Sequence, residues 1–281
     1  MKKVISASRR TDLISFFPKW LSTVIEEERA FVHAPSSHFH TVDLRPETVH
    51  TFVLWSKNCA NLIDNRYNLR TALQKYDQLY FQITITGLGG TFIEEGVPEP
   101  SVVLSQLKSV IEIAGTASRV SVRFDPIVFW QEGERGKTNL HFFKELAPRL
   151  SALGIKDIRF SFAQWYEKAK KRAAKHKFNY KDPYPEDKKE KAHYLTQIAQ
   201  RWGLNLYACS QDFLTEVQGI QASACIDGNL LQSLHPSQSA VSVKKDKSQR
   251  KECRCTESVD IGSYTQQCPH SCLYCYANPK I

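Results

Sequence analysis

Tyr80-Phe81-Gln82-Ile83-Thr84-Ile85 is followed by a glycine-rich turn, Gly87-Leu88-Gly89-Gly90, then by the helix-length stretch Ser101–Ala114 and by Arg119-Val120-Ser121-Val122-Arg123-Phe124. The two outer pieces are short, β-branched and aromatic, and bounded by polar or glycine residues, which is how strands read. A strand, a helix and a second strand in that order join as parallel neighbours through a crossover. The alternation continues in both directions. Further strands are expected at Val4–Ala7, Thr51–Trp55, Asp157–Phe162 and Asn205–Cys209, with another at Ser223–Ile226. Helices expected at Pro18–Arg29, Asn58–Tyr76, Asn139–Leu153 and Asp187–Trp202 connect them. Pro18 suits a first helical turn, while Gly154 and Gly203 stand where C-terminal caps belong. An open doubly wound sheet and a closed barrel both satisfy this pattern. Six or seven repeats with no division into halves favour an α/β fold, TIM-barrel-like or a partial (β/α) barrel over residues 1–240, with a cysteine-rich C-terminal extension over 241–281.

At 281 residues the chain can bury a sizeable core, and its 42% hydrophobic content matches a globular protein rather than a disordered one. No run approaches the roughly 18 apolar residues of a membrane span, and Met1–Arg10 has no signal-peptide character, so a cytoplasmic protein without a membrane partner is expected. The formal charge of +9 favours anionic partners, either a small-molecule substrate or nucleic acid. Residues 168–177, Lys-Ala-Lys-Lys-Arg-Ala-Ala-Lys-His-Lys, concentrate that charge. They read as a solvated helix leading into a loop, or as a basic lid or nucleic-acid contact.

Polar residues recur where the expected strands finish. Arg9, Arg10 and Asp12 follow the first, and Lys57 and Asn58 the second; Thr86 follows the third, Arg123 and Asp125 close the fourth, and Ser161 lies in the fifth. In a parallel α/β sheet these ends face one way, toward the usual ligand side. His33, His38 and His40 are also close in sequence, but their spacing matches no familiar site.

The eight cysteines are unevenly spread. Cys59, Cys209 and Cys225 are scattered, whereas Cys253, Cys255, Cys268, Cys272 and Cys275 crowd the last 29 residues. In a reducing compartment such crowding points to metal rather than disulfides. Cys268-Pro-His-Ser-Cys272-Leu-Tyr-Cys275 lets one loop supply three thiolates to a compact cluster and leave a fourth iron open. Structural zinc sites usually pair two-residue knuckles and close with four protein ligands, so this triplet fits iron–sulfur better. Cys253-Arg254-Cys255 could cap that cluster, or hold a second Fe–S cluster or zinc with Cys225 or Cys209. Lys244, Lys245, Lys247, Arg250, Lys251 and Arg254 supply nearby positive charge, which suits an anionic cluster.

The octapeptide CPHSCLYC resembles the CxxxCxφC signature of the radical S-adenosylmethionine (SAM) superfamily, φ being aromatic. The resemblance implies a [4Fe–4S] cluster on Cys268, Cys272 and Cys275, with Tyr274 as the aromatic position. It also implies S-adenosylmethionine on the open iron, reductive cleavage to a 5′-deoxyadenosyl radical, and an electron donor such as flavodoxin or ferredoxin. That superfamily carries its triplet near the N-terminus. Here it lies beyond residue 267, and in a barrel, where first and last strands are neighbours, it can still reach the mouth near the first βα loop. More of the chain is similar to an uncharacterised bacterial family whose C-terminal cysteines mimic this cluster. The matching stretches are SASRRTD (6–12), WSKN (55–58), RFDPI (123–127), CIDG (225–228) and KDKSQRKECRCTESVDIGSY (245–264).

These readings converge on a radical-SAM-like redox enzyme with Arg9, Arg10, Asp12, Lys57, Asn58, Arg123 and Asp125 around its substrate, and with Tyr274, Ser161 and Thr86 toward the cofactor. The competing expectation is a non-catalytic zinc or Fe–S protein with a basic nucleic-acid- or partner-binding surface.

Overall fold

The computed structural model describes residues 1–33, 39–277 and 279–280. Its centre is one sheet of eight strands, here numbered β1 (Lys3–Ala7), β2 (Val49–Ser56), β3 (Leu79–Thr84), β4 (Val120–Ile127), β5 (Asp157–Phe162), β6 (Asn205–Ala208), β7 (Ile220–Ala222) and β8 (Val259–Asp260). Every neighbouring pair is parallel, and the order is β7-β6-β5-β4-β3-β2-β1-β8. Each strand from β1 to β7 lies beside its successor, so the sheet winds in one direction and lacks the order reversal of a doubly wound fold. β8 pairs with β1, Ile5 opposite Val259, which puts the 259–260 segment beside the first strand. Residues 241–281 therefore give the sheet a strand as well as lying at its mouth, and Ile261 is fully buried in the main core.

Alternation within each strand sorts the two faces. Ile5, Phe52, Phe81, Val122 and Phe160 point outward into the main core, with Leu107, Phe143 and Leu195 from the helices Pro100–Ala114, Phe143–Ala152 and Pro185–Arg201. One of these contacts, Phe124 against Phe143 with centroids 5.4 Å apart, is a tilted aromatic pair worth about 0.5–1.5 kcal/mol beyond its buried area. Gly115, at φ +84, ends the helix before β4 in the left-handed conformation that glycine accepts most readily. The opposite strand face carries Val4, Val53 and Tyr80, then polar residues such as Gln82, Ser121, Arg123 and Arg159. It is covered by chain from residues 225–255.

That covering segment departs from the sequence expectation. The strand lies at Ile220–Ala222, not Ser223–Ile226. Beyond it the chain turns across the inner face, where Arg159 donates to the Ala224 carbonyl at 3.2 Å and Gln82 to the Cys225 carbonyl at 2.6 Å. Side-chain donors thus take the place of a strand ladder. The expected helix at Asn58–Tyr76 is broken into Ala60–Ile63 and Leu69–Leu73. Asn65, Tyr67 and Asn68 between them have positive φ, and Asn65 bonds to Thr71 through both its amide atoms. Two hairpins were not anticipated: Arg29–His33 with Phe39–Asp43, and Phe129–Glu132 with Arg135–Thr138 and Tyr180–Lys181. His33 and His40 sit in the first of these, whereas His38 lies outside the described residues. Among the described residues no helix is long and apolar enough to cross a membrane.

Candidate active site

The C-terminal ends of the strands open into one cavity of about 260 Å³. Ser8, Trp55, Thr84, Arg123, Ser161 and Cys225 bring β1, β2, β3, β4, β5 and β7 to its wall. All seven cysteines other than Cys59 line it, as do Arg9, Arg10, Asp12, Lys57, Asp125 and Tyr274. A larger external groove, about 570 Å³, runs over Phe16–Trp20 and Tyr67, but none of these clustered thiols or carboxylates faces it.

The terminal cysteine loop is fixed from three sides. Asp12 is buried, caps the short helix Leu13–Phe16 through Ser15, and accepts from His270 Nε2 at 2.8 Å. His270 Nδ1 lies 2.9 Å from the Gly96 carbonyl oxygen, and the Gly96 N–H donates to the His270 carbonyl at 3.1 Å. A Cβ on Gly96 would lie 2.0 Å from the Pro269 oxygen, so only glycine lets the loop come this close. Burial alone would raise the Asp12 carboxyl, but bonds from His270 and the Lys57 and Ser15 N–H groups bring it below the ordinary carboxylate range.

On the next side Lys57 Nζ bridges Glu94 Oε1 at 2.9 Å and Tyr274 Oη at 3.1 Å, while Tyr274 also bonds Glu94. Burial pulls the Lys57 ammonium down, but Glu94 and Cys272 raise it above the usual lysine range. Thr86 stands behind this group, donating to Glu94 at 2.8 Å, and Asn58 accepts from Gln106. Neither lines the cavity, contrary to the contact with substrate or cofactor expected of them. The third anchor comes from the basic run, whose helix is Glu167–Lys175. Its Arg172 turns inward and donates to the carbonyls of Leu273 and Cys275, while Lys170 pairs with Glu167.

Burial raises all three thiols of the triplet, Cys268 to about 11. Thiols held by burial and facing cations can lose protons to a metal, the chemistry a thiolate-bound cluster needs. Among the described residues no three His, Cys, Asp or Glu side chains converge so as to hold a single ion. In an iron–sulfur cluster each thiolate binds a different iron, so three cysteines serving one need not converge on a single point.

Arg123 crosses the floor. Its Nη1 donates to Cys225 Sγ at 2.7 Å and its Nη2 bonds Asp125, which also accepts from Ser161. Burial would lower Arg123, but Cys225 and Asp125 hold it well above the arginine range. Arg9 and Arg123 both lie over the Trp55 ring, at 5.5 and 5.3 Å. Asp260 of β8 fixes the rim, accepting from Ser6, Ser8 and the Arg9 N–H. Sequence reasoning missed His270, Glu94, Gln82, Arg159, Asp260 and Tyr276. A signal existed for Gln82 and Arg159. Parallel strands usually read as unbroken apolar runs, yet Tyr-Phe-Gln-Ile-Thr and Asp-Ile-Arg-Phe-Ser-Phe alternate, marking a polar inner face.

Fold and site together define an α/β protein with a parallel sheet and a cysteine-lined, cationic cavity at its strand ends. Residues 4–277 match the family described as domain of unknown function (DUF1848), and the chain belongs to that family. No curated protein matches it. Among solved structures it is similar to D-psicose 3-epimerase from Clostridium cellulolyticum H10, crystallised with D-tagatose, at 10% identity over 78% of this chain and 62% of that one, TM-score 0.27. It is also similar to Rhizobium etli pyruvate carboxylase at 10% identity over 85% of this chain and 29% of that one, TM-score 0.29. The chain thus spans less than two thirds of either.

Proposed function

We propose that this protein is an iron–sulfur enzyme of the radical-SAM type, built on a (β/α) barrel open between β7 and β8. The observation that carries the reading is the place of Cys268, Cys272 and Cys275, on the wall of the same cavity that Arg9, Lys57, Arg123 and Asp125 line. Those cysteines would hold a [4Fe–4S] cluster, which when reduced supplies an electron for cleaving bound S-adenosylmethionine. The chain's own residues do the rest. Asp12, His270 and Gly96 set the loop's position; Lys57 and Glu94 orient Tyr274. Arg9 and Arg10 offer guanidinium donors to a carboxylate or phosphate, and Trp55 and Tyr276 screen the space from water. Asp125, bonded to both Arg123 and Ser161, is placed to orient a substrate hydroxyl or amine.

The test is anaerobic reconstitution with iron and sulfide, followed by dithionite and S-adenosylmethionine. Release of 5′-deoxyadenosine is expected, and its loss in Cys272→Ser. An intact cluster that cleaves no S-adenosylmethionine would sink the proposal.

A further inference from the structure

Four further cysteines, outside the terminal triplet, also line the cavity. Cys209 follows β6, Cys225 follows β7, and Cys253 and Cys255 flank Arg254 in the segment leading to β8. The Sγ atoms of Cys209 and Cys225 are 3.5 Å apart, and Cys209 packs against the buried cluster that holds Cys225, Cys253 and Cys255. Cys225, Cys253 and Cys255 are buried with Val4, Val53 and Tyr80, whereas Leu273 and Tyr274 of the terminal loop belong to a different apolar cluster around Trp165 and Phe178. These are two separate groups of sulfurs.

We infer that Cys209, Cys225, Cys253 and Cys255 form a second metal centre, distinct from the terminal triplet, for a thiolate-preferring metal bound as a single zinc ion or as an iron–sulfur cluster. Three observations support it. First, four thiols drawn from three separate segments meet in one apolar cluster. Second, cations face them: Arg123 donates to Cys225 Sγ at 2.7 Å, and Arg9 lines the same cavity as Cys255. Four thiolates around one divalent ion leave a net negative charge, which guanidinium donors on sulfur offset. Third, the backbone is already fixed, since the Ile226 N–H points to Cys255 Sγ at 3.4 Å and the Thr256 N–H bonds the Ile226 carbonyl at 2.9 Å.

The spacing suits such a metal. Around zinc, with Zn–S of about 2.3 Å, tetrahedral sulfurs stand roughly 3.8 Å apart, near the 3.5 Å of Cys209 and Cys225. Among the described residues no three such side chains converge on a single ion in the present geometry. Metal binding therefore requires side-chain rotation about this fixed backbone. Burial groups Cys253 and Cys255 with Cys225 rather than with Leu273 and Tyr274 of the terminal loop.

The experiment uses the full chain carrying Cys268→Ser, Cys272→Ser and Cys275→Ser, offered zinc alone or, without oxygen, ferrous iron with sulfide. It should retain metal, and adding Cys225→Ser or the pair Cys253→Ser and Cys255→Ser should reduce metal to background. Cys59→Ala, outside both groups, should change nothing. Colourless zinc-loaded protein marks a single ion; brown colour only with iron and sulfide marks a cluster, and either result supports a second centre. Because the multiple variants could misfold, alkylation of the unmodified chain provides an independent readout. Bound metal should shield Cys209, Cys225, Cys253 and Cys255 together, and a chelator should expose them together. A folded triple variant that binds neither metal, or a Cys209–Cys225 disulfide in place of metal, would overturn the inference. Failure to cleave S-adenosylmethionine would leave it standing, because the triple variant never had that activity.

Discussion

Lys57 and Glu94 form a buried ion pair, with 14% and 1% of their side chains exposed. Bringing two charges out of water is costly, so the pair adds little net stability, but removing one partner strands the other. Glu94→Gln should therefore cost about 3–5 kcal/mol in denaturant unfolding. Lys57→Met together with Glu94→Gln should cost clearly less than the sum of the two single changes. A strictly additive double-mutant cycle would show that the two groups do not feel each other. Gly96 gives a second prediction at this scale. Gly96→Ala pushes a methyl into the Pro269 carbonyl while leaving the sheet untouched. Iron retained after desalting should fall about tenfold or more, the usual cost of disturbing a ligand's support, with circular dichroism unchanged.

Among the elements, β2 shows how the inner face is held. His50 lies against His235 with ring centroids 4.4 Å apart, accepts from Thr51, and donates Nε2–H to the Ser239 carbonyl at 2.8 Å. Burial lowers the protonation tendency of both histidines in the fold. A histidine depressed below its unfolded value binds fewer protons folded than unfolded, so its stability is present above about pH 6.5 and lost as pH falls below it. The denaturation midpoint should drop between pH 7.5 and 5.5, and His50→Gln should flatten that slope. Sequence periodicity found β1 to β6 because their outer faces are apolar, and it found their polar ends. It could not find β8, only two residues long, or the hairpins, whose pairing depends on distant chain. Nor did spacing reveal His270 with Asp12, since 258 positions separate residues that touch only in the folded molecule. The terminal thiols were legible because one loop carries all three.

Over the whole molecule, the inner sheet face and the segment 225–255 depend on each other. Residues 1–240 and 241–281 divide by composition, yet Asp260 holds Ser6 and Ser8, and Cys253 and Cys255 cover Val4 and Val53. A chain cut after Ala240 should lose cooperative unfolding and expose apolar surface to dye, because β1 would lose its neighbour β8. Cooperative unfolding of that fragment, with amide protection in β1, would mark residues 1–240 as a unit that folds alone.

The pairing of β8 with β1 also orders events in time. Arg9 and Lys57 leave the ribosome long before Cys268, so a growing chain holds the cavity's cations before the terminal thiols that share it are made. At about 5–20 residues per second this wait lasts many seconds. On the proposed function, loading with iron would follow synthesis of residues 1–275, and cells starved of iron should accumulate chain extended past Cys275 whose rim is loose rather than an early-arrested one.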